Sequence, residues 1–173
     1  MDFEEKTLSE NYIYEGKILN LRRDEVELPN GKSAVRECVE HSGGSAILCE
    51  KDGKSLLVKQ FRYPYKTELL EIPAGKLNEG ESPEETAKRE LEEEGGIRAG
   101  KVEKILDLYP TPAYTNEIIR IYRATEFSKT QMHLDEDEFL NSVWIDKKEL
   151  KGMLDRGEIK DAKTVVALLY ALR

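Results

Sequence analysis

The chain has 173 residues, of which 39% are hydrophobic and 36% are charged, and its formal net charge is −8. This balance is typical of a folded protein with one main domain, and it excludes a largely disordered chain. The negative charge argues against a protein that coats nucleic acid, because phosphate backbones recruit basic surfaces, but it leaves a small nucleotide substrate possible.

The first part of the chain has the pattern of a small β-domain. Apolar and charged side chains alternate over residues 12–40, which predicts strands. An Asn-Gly pair at 30–31 predicts a two-residue hairpin turn, since both residues tolerate positive φ. The pattern breaks at residues 41–44. We therefore expect an N-terminal β-domain over residues 1–43 and a larger domain over residues 44–173.

The larger domain alternates strands with a few helices. Asp52-Gly53 predicts a hairpin turn between the first two of its strands. A stripe of apolar side chains near the C-terminus has helical spacing and is interpreted as core: Val165, Val166, Leu168, Leu169 and Leu172. Strands are predicted at 45–50, 55–62, 68–75, 104–109, 117–127 and 142–146, and helices at 83–94, from 147 and over 161–173. The order predicts an α/β fold, a mixed sheet with helices packed on its faces.

The helix predicted over residues 83–94 has signals at both ends. Ser82 suits the N-cap, Pro83 the first helical position, and Glu85 completes a capping box with Ser82. The Gly-Gly pair at 95–96 is typical of a helix C-terminus. These signals fix the boundaries of the segment that carries the chemistry.

Three glutamates on this helix suggest a metal site. Glu90 and Glu94 are four residues apart and so share a helical face, with Glu93 beside them. Like charges at this spacing repel unless a cation bridges them, and Mg²⁺ prefers carboxylate oxygens. Taken alone, the same spacing also fits a solvated acidic face.

A longer pattern surrounds these glutamates. It is Gly, five residues, Glu, seven residues, Arg-Glu, an aliphatic residue, one residue, Glu-Glu, one residue, Gly and an aliphatic residue. The matching positions are Gly75, Glu81, Arg89, Glu90, Leu91, Glu93, Glu94, Gly96 and Ile97. The segment resembles the signature of the Nudix hydrolases. That resemblance implies that Glu90 and Glu94 bind metal, that Arg89 orients the carboxylates and that Glu81 supports them.

Further segments resemble the ADP-ribose pyrophosphatase branch of that family. They are QFRYP before EIPAGKLNEGE, the proline at 112, TPAYTNE and the acidic stretch LDEDEF. The opening YIYEGKILNL through RECVEH resembles the N-terminal β-domain of the branch. Two departures lie near the expected substrate: Ala113 replaces a usual glycine, and Ser-Gly-Gly at 42–44 stands where Pro-Gly-Ala is common.

The resemblance assigns roles to individual residues. Metal ligands would be the Ala74 carbonyl, Glu90, Glu94 and Glu138, with Mg²⁺ as the cofactor and Mn²⁺ as a substitute. Glu136 would be the general base, and Glu93 is the second carboxylate that could serve. Substrate contacts would come from Arg62 near the diphosphate, from Thr111 and Glu117 near the terminal ribose, and from Arg36 and Glu37 of a partner subunit.

These roles imply a homodimer that hydrolyses the pyrophosphate bond of ADP-ribose, to AMP and ribose 5-phosphate, or of a related nucleoside diphosphate sugar. The alternatives are another Nudix substrate, such as a different sugar nucleotide, a dinucleoside polyphosphate, a nucleoside triphosphate, NADH or a capped RNA end, and a sensor that binds ADP-ribose without cleaving it. The acidic opening lacks the features of a secretion signal, no apolar run reaches membrane-spanning length, and Cys38 and Cys49 have no metal-ligand spacing. We therefore expect a cytoplasmic protein with no membrane or nucleic-acid partner.

Overall fold

The computed structural model describes residues 3–134 and 138–173. The chain separates into two compact units, Met1–Gly43 with Tyr109–Ile118, and Gly44–Leu108 with Ile119–Arg173. Residues 109–118, expected in the larger domain, lie with the first unit. There the Val39 N–H donates to the Tyr114 carbonyl at 2.7 Å.

The first unit is built on an antiparallel sheet. Its strands are β1 (Lys6–Ser9), β2 (Tyr12–Glu15), β3 (Leu19–Glu27) and β4 (Ser33–His41), of which β1 had not been predicted. Strand β3 is central and pairs with the other three. The predicted two-residue turn at 30–31 is wrong. The Leu28 N–H donates to the Lys32 carbonyl, which closes a three-residue loop with positive φ at Gly31 but not at Asn30.

The second unit contains the mixed sheet that was predicted. Its strands are β5 (Gly44–Lys51), β6 (Lys54–Arg62), β7 (Thr67–Glu71), β8 (Ala74–Lys76), β9 (Ile97–Leu108), β10 (Ile119–Lys129) and β11 (Leu140–Asp146). The order is β11-β6-β5-β10-β9, with β7 paired to β6 and β8 to β5. Only β5 and β10 are parallel among the paired strands described.

Three α-helices are described: α1 (Pro83–Gly95), α2 (Lys147–Asp155) and α3 (Ala162–Ala171). The helices pack on both faces of the sheet, and alternate side chains of β5 point to one face or the other. Ala46 and Leu48 point into a core with residues of α2 and α3, whereas Ile47 and Cys49 point into a core with Ala87 and Leu91 of α1. This confirms the predicted α/β fold. None of the helices in the described residues is long and apolar enough to cross a membrane.

The local signals read from the sequence are confirmed at two places. Asp52 and Gly53 have φ values of 49° and 75°, so they form the expected two-residue turn. Helix α1 begins with the full capping box between Ser82 and Glu85 and ends at Gly96, whose φ is 61°. The helix that carries the glutamates therefore has fixed ends.

Helix α3 packs most of the predicted stripe against the core, since Val165 and Val166 contact the core cluster that contains Leu168. Leu168 is 1% exposed, as expected, but Leu169 is 56% exposed, so its assignment to the core is wrong. Lys163 and Thr164 are buried instead. The helix turns these two polar residues inward because both have partners there. The Thr164 hydroxyl accepts from the Ile72 N–H at 2.8 Å, and Lys163 binds a buried glutamate described below.

Candidate active site

Two carboxylates lie on the buried face of α1. Glu90 is 6% exposed and Glu94 is 3% exposed, and they share this face with Ala87 and Leu91. Acidic side chains are almost never buried to this extent without a partner. The two residues therefore do not form the solvated acidic face that the spacing alone allowed.

The backbone opposite the helix is shaped to receive Glu90. A Cβ atom built on Gly75 would overlap the Glu90 carboxylate, so only glycine leaves room for this side chain. Next to it, the Ala74 N–H donates to Glu94 Oε2 at 2.9 Å. Strand β8, which carries Ala74 and Gly75, is held by pairing with β5. The loop and the helix thus place both carboxylates against one short strand.

The electrostatics of the pair are unusual. Burial raises the pKa of Glu90 to about 7, against the opposing effect of the Arg89 charge. Burial also raises the pKa of Glu94 to about 8, against the hydrogen bond from Ala74 and reinforced by the charges of Glu90 and Glu138. For both carboxyls, the effect of burial on the pKa therefore outweighs the neighbouring positive charge and hydrogen bonds.

Arg89 is the main cation beside this pair. Its Nη1 atom lies 2.7 Å from both Glu90 Oε1 and Glu93 Oε2, and its Nε atom lies 2.9 Å from Glu81 Oε1. Glu81 also accepts from the Thr86 hydroxyl at 2.9 Å, and its pKa is lowered chiefly by the hydrogen bond from Arg89. Arg89 thus orients two glutamates and is itself held by a third.

The acidic stretch contributes one described carboxylate. Glu138 is half-buried, and its charge raises the pKa of both Glu90 and Glu94, so it lies close to them. Glu136, the predicted general base, lies outside the described residues. Glu93, the second candidate, is half-buried and bound to Arg89.

The donors fit a hard divalent cation. Within residues 3–134 and 138–173, no three His, Cys, Asp or Glu side chains already converge on a metal position. Two buried carboxylates with raised pKa values nevertheless lie on one helical turn, and Glu138 is near both. Carboxylate oxygens are the ligands that Mg²⁺ and Mn²⁺ take, and a cation there would relieve the repulsion.

Arg62 takes part in an ion cluster that the sequence did not reveal. Its Nε and Nη2 atoms bind the two oxygens of Glu71 at 2.6 and 2.5 Å, and Lys163 Nζ binds the same carboxylate at 2.5 Å. Glu71 is 1% exposed, whereas the Arg62 side chain is 39% exposed. The hydrogen bond to Glu71 is the main cause of the raised pKa of Arg62, and the Glu94 charge adds to it, so this cluster lies near the buried pair.

Sequence reasoning missed Glu71, Lys163 and Asp161, although one signal was present. Lys163 begins an otherwise apolar helix, and a lysine facing a core needs a carboxylate. Asp161 supplies a second carboxylate at 3.0 Å and also caps the helix. The main partner, Glu71, lies 92 residues away in sequence, so no local pattern joins the two.

The remaining predicted substrate residues lie in the first unit. Arg36 is half-buried and binds Glu5, with Nε at 2.8 Å from Oε2, while Glu37 is exposed. Glu117 Oε1 lies 3.4 Å from His41 Nδ1. The Thr111 carbonyl accepts from the Thr115 N–H at 3.2 Å in a turn.

Both units of the chain contain residues that match known family models. A family model described as NUDIX domain matches residues 39–168, and one described as nucleoside diphosphate sugar hydrolase N-terminal domain matches residues 5–39. The chain is similar to a solved structure, "Crystal structure of ADP compounds hydrolase", with a TM-score of 0.87 and 22% identity over 99% of this chain and 95% of that one. That likeness supports the fold.

Two relatives align over nearly all of the chain. A Bacillus subtilis protein named ADP-ribose pyrophosphatase is 44% identical over 96% of this chain and 92% of its own length. A Bacillus methanolicus protein named methanol dehydrogenase activator is 40% identical over 97% and 92%. The signature on α1, the mixed sheet and these matches agree, and the chain belongs to the Nudix domain family.

Proposed function

We propose that this protein hydrolyses the pyrophosphate bond of ADP-ribose to give AMP and ribose 5-phosphate. The observation that carries the proposal is the buried pair Glu90 and Glu94, which has raised pKa values and lies beside the ion cluster of Arg62, Lys163 and Glu71. The Bacillus subtilis relative named ADP-ribose pyrophosphatase supports the choice of substrate.

The residues of the site have different roles in the proposed reaction. Glu90, Glu94, Glu138 and the Ala74 carbonyl would hold Mg²⁺ or Mn²⁺. When bound, the cation acts as a Lewis acid on the diphosphate and lowers the pKa of a bound water. Water attacks one phosphorus, the bridging P–O bond breaks, and Glu136 takes the proton released by the water. Arg89 keeps its neighbouring carboxylates oriented.

Arg62 would contact the diphosphate through the exposed part of its guanidinium. Glu71 already takes two of its donor atoms, Nε and Nη2, and fixes the plane of the group. A fixed guanidinium loses little freedom when it binds an anion, and its remaining N–H groups stay available to phosphate oxygens. The ion pair with Glu71 therefore supports, rather than opposes, a binding role.

A turnover panel tests the substrate. Purified protein with Mg²⁺ is given ADP-ribose, other nucleoside diphosphate sugars, NADH, dinucleoside polyphosphates and nucleoside triphosphates, and the products are separated by chromatography. We expect AMP and ribose 5-phosphate from ADP-ribose at the highest kcat/KM. Faster turnover of another nucleotide would reassign the substrate. Binding of ADP-ribose without turnover of any member would mean a sensor.

The general base is tested by a pair of variants. Glu136→Gln should lower kcat by about 10²–10⁴-fold with KM changed only a few-fold, because a base acts in the chemical step. Glu93→Gln should have the smaller effect, since Glu93 is engaged by Arg89. A silent Glu136→Gln together with a severe Glu93→Gln would move the base to α1.

We also propose a homodimer in which the first unit completes the partner's site. The first unit exposes large apolar side chains, among them Tyr12, Ile13, Tyr14 and Ile18 at 50–60%. Arg36 pairs with Glu5 within its own chain, which is the alternative to a substrate role. In the dimer, Arg36 would exchange that contact for the adenosine end of the substrate, which Glu37 would also contact.

Complementation distinguishes the two roles of Arg36. Arg36→Ala and Glu94→Gln are each expected to be inactive, and their mixture should recover activity because one hybrid site has both residues intact. Each variant, purified separately as a homodimer, serves as the control. A monomer with full activity in sedimentation at micromolar concentration would exclude a shared site.

The cysteines support a cytoplasmic location. Cys38 and Cys49 are both free thiols. Burial raises the pKa of Cys49 to about 12, so this thiol stays protonated and unreactive at neutral pH. Two unpaired thiols suit a reducing compartment.

A further inference from the structure

A cavity of about 350 Å³ opens on the second unit, at the far end of its central strand from the glutamates. Strand β5 runs from Gly44, which pairs with Lys76 near the buried pair, to Lys51 at the cavity. The strand has eight residues, so at about 3.3 Å per residue its ends lie roughly 23 Å apart. The lining of the cavity includes none of the residues assigned to the site of hydrolysis.

Three lysines surround this cavity: Lys51, Lys54 and Lys129. Lys51 and Lys54 are direct cross-strand partners beside the two-residue turn. Like charges placed opposite each other in this way destabilise a hairpin. In a chain with a net charge of −8, such a cluster is not explained by overall composition.

The lysines are not neutralised by neighbouring carboxylates. Within the described part of the chain, none of the three forms an ion pair. Asp52 also lines the cavity but forms no ion pair with them, and Asp146, the strand partner of Lys54, uses its carboxylate to cap α2 at 2.8 Å. The residues that line the opening therefore include three lysines and one aspartate, which is a net positive charge.

The inner wall of the cavity is aromatic and apolar. Phe127 and Trp144 line it and are half-buried, and the buried Ile97 lies beside them. All three belong to the core beneath α1, so the cavity opens where the helix no longer covers that face of the sheet. Flat aromatic rings of this kind stack on nucleic-acid bases.

We propose that this cavity is a second ligand site, for a nucleoside monophosphate bound outside the catalytic centre. The lysines would hold the phosphate as point charges, and Trp144 and Phe127 would take the base. The volume lies within the range of small-molecule sites. The proposal goes beyond the hydrolysis described above and does not depend on it.

The experiment uses Trp144, which is the single tryptophan of the chain, as an intrinsic probe. The full-length protein is titrated with AMP in excess chelator, so that a metal-dependent complex at Glu90 and Glu94 does not form, and tryptophan fluorescence is recorded. We expect a saturable change for AMP, and a weaker response to inorganic phosphate, which has no ring to stack.

Variants assign the signal to the cavity. The double variant Lys51→Gln/Lys54→Gln should weaken AMP binding by about tenfold or more, because each lysine contributes a charge-assisted contact. The exposed Lys160, which has no ion pair in the described residues, provides the matched control Lys160→Gln, with unchanged affinity expected. Loss of affinity at higher salt is expected for wild type.

Two results would overturn the proposal. One is the absence of any saturable fluorescence change with AMP at millimolar concentration. The other is an AMP affinity that is the same in wild type and in the double lysine variant, which would place the nucleotide elsewhere. Since no turnover is measured, either result leaves the proposed hydrolysis untouched, and failure of the hydrolysis leaves this site untouched.

Discussion

Glu71 and Glu94 are two buried glutamates in the same unit, and their surroundings shift their pKa values in opposite directions. Glu71 is 1% exposed and Glu94 is 3% exposed. Burial alone would raise the pKa of both, but Arg62 and Lys163 hold the pKa of Glu71 below its ordinary value. Glu94 accepts a hydrogen bond from the Ala74 N–H, but burial outweighs it and raises the pKa of Glu94 to about 8.

The comparison separates a structural carboxylate from a functional one. Glu71 is matched by cations of its own chain, so its charge is compensated when the protein folds. Glu94 is buried to the same degree with a weaker internal partner, which is a cost to stability that structure alone does not require. Perturbed carboxyls of this kind cluster at functional sites.

Removing the Glu94 charge should give the largest effect on activity. We expect Glu94→Gln to lower kcat by roughly 10³-fold or more, since a metal supplies several kcal/mol of transition-state stabilisation. The free energy of unfolding in chelator should not fall, because a poorly compensated buried charge is lost. Glu84→Gln, on the exposed face of the same helix, is the control. Near-normal turnover of Glu94→Gln would contradict the metal mechanism.

Removing the Glu71 charge should instead affect stability first. Glu71→Gln leaves Arg62 and Lys163 without their shared carboxylate, so the free energy of unfolding should fall by about 3–5 kcal/mol. Urea unfolding at neutral pH measures this. The double variant Glu71→Gln/Lys163→Met should recover part of the loss, because the unpaired cation is gone. A loss below about 1 kcal/mol would show that solvent compensates the cluster.

Gly75→Ala tests the position of the functional carboxylates without changing any charge. The added methyl group would overlap the Glu90 carboxylate and displace it. We expect kcat to fall about 10²-fold, as small misplacements at an active site do, with about 1–3 kcal/mol lost from unfolding. Gly100→Ala is the control, since its new Cβ would meet only ordinary contacts at 3.5 Å or more. Equal kinetics for the two variants would exclude a positioning role for Gly75.

The pH dependence of the Glu71 cluster gives the smallest and most specific effect. The pKa of Glu71 is lowered in the folded protein from the ordinary value of 4.5. Its contribution to stability is therefore complete above pH 4.5 and disappears as the pH falls through the lower, folded value. The difference in unfolding free energy between wild type and Glu71→Gln should be constant from pH 5 upward and shrink below about pH 4. A difference that grew with acid would have the wrong sign.

Local features were predictable from the sequence, and long-range ones were not. The Asp52-Gly53 turn and the ends of α1 depend on neighbouring residues, so their patterns were sufficient. The predicted turn at 30–31 was wrong because the first strand ends one residue earlier than the Asn-Gly rule assumes, so that Pro29 joins the loop. Leu169 was assigned to the core because hydrophobic spacing cannot show that Lys163 turns inward.

In the candidate site, too, local features were predictable and long-range contacts were not. The spacing of Glu90 and Glu94 and the family pattern identified the glutamates of α1. The cluster that restrains Arg62 was invisible, because Glu71 and Lys163 meet only when β7 and α3 pack together. In the second cavity, Lys51 and Lys54 flank the predicted Asp52-Gly53 turn, whereas only the fold brings Lys129 of β10 beside them.

The parallel pairing of β5 with β10 has a consequence for synthesis on the ribosome. Gly44 pairs with Ile119, so the centre of the sheet closes only after residues up to about 129 have emerged. At about 5–20 residues per second, the intervening chain takes roughly 4–15 s to make. Throughout that interval the apolar segment from Ala46 to Cys49 has an open edge, so it is a stretch of the nascent chain that a chaperone would protect from aggregation.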